Sequence, residues 1–427
     1  MRGTLVRVGG IWDRASGDLL TQQSISAGLA AAAFATVAIV WGVWSRRNTA
    51  RLQRIPLRVL VTGSRGKSST VRLIHAALSE AGIPTLGKMT GTASRELDTA
   101  GTEHPTNRIG QVSILEMLET VNRSFRRDAV APEAVVLECM AVTPDLIRMC
   151  TDDIVRPQAS VVTNALWDHL EEQGTTLEQI AVSLSNVMRG ADIAVTAEHR
   201  LATRAVLAYE AQVNGCAFDA VSGAEVEPGI LARLPGAHPD NVAMALSVAA
   251  YAGVDRETAV RGMEVATVEP LPILPVTTMI DGIEWWYRDI GSINDTDSLT
   301  PALRDARAQM PADAVTLAIL TTRWDRPLRA IQFAASITPA DVDGIVIVGE
   351  PDAVVRHYAH QAGWTNDRIV RVGTWGYGER PLYRRMAELA EHARGERPES
   401  IALIGLENNH QYVADLIRDK MFGKDVL

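Results

Sequence analysis

The segment Gly63-Ser-Arg-Gly66-Lys67-Ser68-Ser69 lies between an apolar run, Leu57-Arg-Val-Leu-Val-Thr62, and a stretch of helical periodicity from Ser68 to Ala81. A strand that enters a glycine-rich turn and leaves as a helix commits the chain to strand–helix crossovers, and so to a parallel sheet with helices on its faces. The same arrangement cradles phosphate. Small residues let backbone N–H groups approach the oxygens, and the helix N-terminus adds a favourable dipole. In this register Lys67 reaches the β- and γ-phosphates of a nucleotide and the Ser68 hydroxyl faces Mg2+. Gly63, Ser64, Arg65, Gly66 and Ser69 complete the candidate nucleotide-binding loop. Only two residues separate the glycines, fewer than in the common G-x-x-x-x-G-K-[ST] form, and a plain Gly/Ser turn before a helix is the alternative.

Alternation continues downstream. Strands are expected at Leu57–Thr62, Ala134–Met140, Ala159–Asn164 and Ile193–Thr196, and helices at Ser68–Ala81, Val112–Arg127 and Leu177–Met188. Leu177, Ile180, Leu184 and Val187 fall at helical spacing, with Thr176 and Gln179 as a capping box. Val268-Glu-Pro-Leu-Pro-Ile-Leu-Pro275 reads as an extended linker. A second block then alternates strands (277–281, 315–320, 344–348, 369–372, 400–405) with helices (295–310, 351–362, 380–394, 410–420). The expected fold class is α/β, a parallel-sheet ATPase domain followed by a smaller Rossmann-like α/β domain. The expected divisions are 1–56 (membrane anchor and basic juxtamembrane linker), 57–267 (ATP-binding), 268–275 (linker) and 276–427 (C-terminal).

The anchor is read from Ile25 to Trp44, 20 residues without a charge. As a helix this run spans about 30 Å, the thickness of a bilayer core. Trp41 and Trp44 stand at one end as interfacial residues do, and Arg46, Arg47, Arg51, Arg54 and Arg58 follow without an acidic residue among them, which puts the downstream part in the cytoplasm. A net charge of −9 argues against a general nucleic-acid binder. Three cysteines with no C-x-x-C pair argue against a disulfide framework and a zinc site.

Ligands of such sheets bind beyond the C-terminal strand ends. Glu138 closes Val135-Val-Leu-Glu-Cys139 and is a candidate Mg2+ ligand there; a solvated charge or helix cap is the alternative. Asp168-His169 follows the strand at Val161, with His169 the candidate for a second divalent ion and Asp168 beside it to orient it. Asn241, at the start of an alanine-rich helix, is a candidate for a nucleobase edge, with Asp240 or Asn241 as a plain N-cap the alternative. Arg323 and Arg326, in Thr322-Arg-Trp-Asp-Arg326, suit a phosphate or a carboxylate.

These pieces, in this order, resemble the Mur ligase family of ATP-dependent amide-forming enzymes: the short loop at 63–69, the strand-end Glu138, Thr163-Asn164 with Asp168-His169, and Gly236 through His238 to Asn241. Within it the chain is most similar to the membrane-anchored ligase subunits of capsule-type poly-γ-glutamate synthases, through Lys88-Met-Thr-Gly-Thr-Ala93, Val136-Leu-Glu-Cys-Met-Ala-Val142 and Arg323-Trp-Asp-Arg326. The resemblance implies ATP and Mg2+ as cofactors, and glutamate joined to a growing γ-glutamyl chain through an acyl phosphate. It implies Lys67, Glu138 and His169 as catalytic residues, Ser68, Glu138 and His169 as metal ligands, and Asn241 and Arg323 on the nucleotide. Arg95, Arg108 and Arg326 become candidates for substrate carboxylates. It also implies integral-membrane partner subunits, a single-pass location with the catalytic part cytoplasmic, and room for an oligomer. Three departures stand out. No lysine lies between Gly174 and Arg200, where many relatives carry a carbamylated one. The usual amino-terminal substrate domain is absent. Ile293-Asn-Asp295 replaces a His-Asn-Pro or His-Thr-Pro turn. The competing functions are a folylpolyglutamate- or cyanophycin-type ligase, and a membrane-anchored nucleotide switch.

Overall fold

The computed structural model describes residues 9–90, 94–106, 113–266, 275–291, 293–324, 326–372, 382–406 and 421–422. Gly9–Gln53 is one continuous helix, and its part Leu29–Gln53 is long and apolar enough to cross a membrane. Leu29, Phe34, Val37, Ile39, Val40 and Val43 are all exposed on it, and Trp41 stacks on Trp44 at 5.0 Å.

The basic segment from Arg46 onward continues this helix and packs. Asn48, Leu52 and Ile55 are buried. Arg51 donates to Asn122 Oδ1 at 3.2 Å and lies over the Phe125 ring. Arg58, expected among the charges facing the cytoplasm, is buried instead: its guanidinium donates to the carbonyls of Gln53, Ile55, Val155 and Arg156. Those carbonyls lie at the end of one helix and in the turn after another, where no backbone N–H reaches them.

Two sheets follow. The first contains β1 (Leu57–Thr62), β2 (Thr85–Met89), β3 (Arg95–Leu97), β4 (Glu103–Pro105), β5 (Ala134–Glu138), β6 (Ala159–Val162), β7 (Ile193–Thr196) and β8 (Ala217–Ala220), in the order β4-β3-β2-β5-β1-β6-β7-β8. From β2 to β8 all pairs are parallel, and β3 and β4 add an antiparallel edge. Alternate residues of β1 feed opposite cores. Val59 and Val61 join the loop helix Lys67–Glu80 and the helices Pro239–Tyr251 and Arg256–Glu264, while Leu60 joins Leu52, Ile55 and the helix Glu116–Arg127. Burial on both faces explains why these strands read as unbroken apolar runs.

The second sheet has the order β13-β12-β11-β14-β10-β9, with β9 (Val276–Ile280), β10 (Ile283–Asp289), β11 (Val315–Thr322), β12 (Gly344–Gly349), β13 (Ile369–Val372) and β14 (Ser400–Leu406). Its strands from β13 to β10 are parallel; β9 and β10 form a hairpin. The sequence reading ended a strand at Asp281 and missed the return strand β10. Asp281 and Gly282 both adopt left-handed φ (51° and 77°), the two-residue turn that matches strand twist. Most of the proline-rich segment 268–275 and the expected helix 410–420 lie outside the described residues.

Candidate functional site

β1 stands where the strand order reverses, with β5 on one side and β6 on the other, so the loop after it opens into the crevice between their C-terminal ends. Gly63 (φ 128°) and Gly66 (φ 82°) turn the chain into the helix Lys67–Glu80. Both are held closely. A Cβ at Gly63 would meet Thr163 Oγ1 at 2.0 Å, and one at Gly66 would meet Asn241 Oδ1 at 2.5 Å. Ser64 N donates to Asn164 O at 3.1 Å, Arg65 N to Asn164 Oδ1 at 2.9 Å, and Leu166 N to Ser64 Oγ at 2.9 Å. The Thr163-Asn164 turn is therefore the bed on which the phosphate loop lies.

Lys67 Nζ curls over this loop, donating to Gly63 O at 2.6 Å and Ser64 O at 3.2 Å. Ser68 Oγ donates to Glu138 Oε2 at 2.7 Å, and Thr90 N donates to the same oxygen at 2.8 Å. Glu138 is buried at the end of β5. A hydroxyl and a carboxylate joined beside a phosphate loop suit a hard divalent cation, which takes oxygen ligands and shares its shell with nucleotide phosphates. Among the described residues no three His, Cys, Asp or Glu side chains gather to hold a metal unaided. The residues present thus fit a metal that arrives with its nucleotide.

His169 takes a left-handed conformation (φ 52°) at the start of a short helix. Its Nε2 is 3.8 Å from Asp168 Oδ1 and its Nδ1 3.6 Å from Glu172 Oε2. His169 beside it holds the Glu172 carboxyl below the usual carboxylate range. Asp168 accepts a hydrogen bond from Arg326 at 2.8 Å, so this arginine, expected on a substrate carboxylate, is engaged with the His169 turn. Arg323 is half-buried just beyond β11, its carbonyl accepting from Arg326 N. Arg95 faces Glu103 at 3.5 Å on the β3–β4 hairpin, and Glu103 is also held by both terminal nitrogens of Arg72. Arg108 lies outside the described residues. Asn241 is not the N-cap of its helix: His238 caps it through Asp240 N, and Asn241 is buried against Gly66.

Sequence reasoning missed Glu198. It is buried just past β7, where its carboxylate accepts from Ala165 N at 2.9 Å and Arg200 N at 2.8 Å and so holds the turn that leads to His169. An acidic residue two positions beyond an apolar strand was the only signal. It also missed Asp295, described below.

Two family models match in tandem: the Mur ligase middle domain over residues 61–240 and the poly-gamma-glutamate synthase CapB C-terminal domain over residues 278–420. The central part of the chain, residues 61–240, is of the Mur ligase family. The matches make the chain an ATP-dependent amide ligase. It is 28% identical over 351 residues to the capsule biosynthesis protein CapB of Bacillus anthracis (78% of this chain, 74% of that one). It is 29% identical over 337 residues to the PGA synthase CapB of Bacillus subtilis (76% and 83%). Among solved structures, its fold matches MurF of Acinetobacter baumannii with a TM-score of 0.57 at 16% identity, covering 88% of this chain and 79% of that one. It also matches a Mycobacterium tuberculosis folylpolyglutamate synthase complexed with ADP, with a TM-score of 0.54 at 14% identity, covering 90% and 94%.

Proposed function

We propose that this ligase extends poly-γ-glutamate at the cytoplasmic face of a membrane, working with integral-membrane partner subunits. The observation that carries the reading is the joining of Ser68 to Glu138 beside Lys67, on a loop bolted to the turn that holds His169, in a chain whose C-terminal third matches the poly-gamma-glutamate synthase model. A carboxylate is a poor acyl donor. In the proposed reaction the terminal carboxylate oxygen of the growing chain attacks the γ-phosphorus of ATP, and ADP leaves. The amine of the incoming glutamate then attacks the acyl carbon, the C–O bond to phosphate breaks, and the amine's proton passes to solvent as phosphate leaves.

Lys67 neutralises charge on the transferring phosphoryl group, and Asn241, packed against Gly66, reads the adenine. Ser68 and Glu138 would hold Mg2+, and His169 would be available to a second ion; the metal would supply charge neutralisation for phosphoryl transfer. The test uses the full chain in detergent, with its membrane partners, ATP, Mg2+ and labelled glutamate. Phosphate release should depend on glutamate or a γ-linked primer, mass spectrometry should show the amide, and Lys67→Ala should lower turnover at least about a hundredfold. Equal ATP hydrolysis with and without glutamate would sink ligation and favour a nucleotide switch.

A further inference from the structure

Each half of the molecule sends one arginine into the other's loop. Arg65, from the phosphate loop, donates through Nε to Asp295 Oδ2 at 2.9 Å, and Asp295 is wholly buried. Arg326, just beyond β11, donates to Asp168 at 2.8 Å, with both side chains largely buried. The two contacts belong to one ring. Arg326 begins the helix Pro327–Ser336, whose Arg329 donates to Asn294 Oδ1 at 3.0 Å and Ile293 O at 2.7 Å, immediately before Asp295. On the other side, Arg65 N rests on Asn164, in the same turn as Asp168. Glu171 accepting from Leu328 N, and Arg200 with Asp297, add peripheral contacts that are more exposed and weaker.

We propose that Arg65–Asp295 and Arg326–Asp168 are a reciprocal latch that couples seating of the C-terminal sheet to the geometry of the phosphate loop. Arg65, Asp295 and Arg326 are then positioning residues for ligation. The proposal rests on the ligase reading above. An acyl phosphate is lost if water reaches it before the amine does, so phosphoryl transfer is useful only with the crevice shut. Charge pairs with little solvent access are strong only when both partners are home, because an unpaired buried charge is costly. Opening the crevice would strip partners from Asp168, beside His169, and from Arg65, inside the loop, at the same moment. The catalytic loops and the closed arrangement therefore support each other.

Asp295 also caps the helix Thr296–Ala308 through Ser298 N at 2.8 Å. Asparagine caps as well as aspartate, so Asp295→Asn removes the charge and keeps the cap. In the full chain with membrane partners, Asp295→Asn should lower the amide formed per ATP consumed by about tenfold, with ATP hydrolysis continuing, and Arg65→Gln should lower the same ratio by a similar factor. The double variant should be no worse than either single one, the mark of a direct pair. An independent reading uses spin labels at Tyr209→Cys and Val354→Cys, exposed sites on helices of the two halves; the native cysteines are all buried. With a non-hydrolysable ATP analogue, the wild type should give one short interspin distance, and Asp295→Asn or Arg326→Gln a longer, broader distribution. Additive effects in the cycle, an unchanged amide yield or unchanged distances would each overturn the latch. A wild type that makes no amide from glutamate would overturn the substrate reading instead, and the distances would still decide the latch.

Discussion

At the residue scale the site depends on close approach. Gly63 combines a left-handed backbone with a wall, Thr163, within 2.0 Å of any added Cβ. Gly63→Ala should weaken nucleotide binding by about 1–3 kcal/mol, roughly ten- to a hundredfold, read by calorimetry with an ATP analogue. Trimming the wall in Gly63→Ala/Thr163→Ala should recover only part of the loss, because Thr163 N would still be 2.9 Å from the new atom. The glycines, Lys67, Ser68 and Glu138 were legible in the sequence because local order dictates them: strand, turn, helix start, and the end of a second apolar strand. Arg326 was legible as a cation but not as a partner of Asp168, 158 residues away. The nature of its partner is decided by how two sheets meet, and no spacing encodes that.

At the element scale, the helix Lys67–Glu80 has one face for phosphate and another for the core. His75 lies on the core face, 3.2 Å from where a Cβ of Gly87 would stand, with its Nε2 3.3 Å from Asp98 O. Burial lowers its pKa below the usual value of 6.5, although its ring's hydrogen bonds to the backbone at Asp98 and Thr85 oppose the shift. The unfolded chain then binds this proton more readily than the folded one. Stability is therefore complete above about pH 6.5 and declines as pH falls below it. The melting temperature should drop on that limb, and His75→Gln, which cannot charge, should flatten it. The strands β1, β5, β6, β7, β9, β11, β12, β13 and β14 were read from their apolar runs. The strand β2, the short strands β3, β4 and β8, and β10 with its Ile-Glu-Trp-Trp-Tyr-Arg-Asp alternation, were missed. Their pairing depends on neighbours more than on their own composition.

At the scale of the whole molecule, the end of the long N-terminal helix packs into the core of the first sheet. The sequence reading placed the start of the ATP-binding domain at 57, yet Asn48, Leu52 and Ile55 are buried, with Leu52 and Ile55 in the same core as Leu60 and Leu137. A chain beginning at residue 45 should stay folded and become soluble without detergent. One beginning at 57 loses the side chains that cover that core and should aggregate or melt well below it, as size-exclusion chromatography and calorimetry would show. Burying Leu52 and Ile55 contributes about 2 kcal/mol each. The sequence by itself determined the strand–loop–helix of the candidate nucleotide site, the parallel α/β class, the long apolar helix and the family resemblance, because each is written in local order and composition. Only the tertiary structure decided that the basic segment is packed helix, that Arg58 is buried on carbonyls, and that Arg65 and Arg326 cross the crevice to Asp295 and Asp168. Those are contacts between residues far apart in the chain, and their partners are chosen by shape, burial and charge once the sheets have formed.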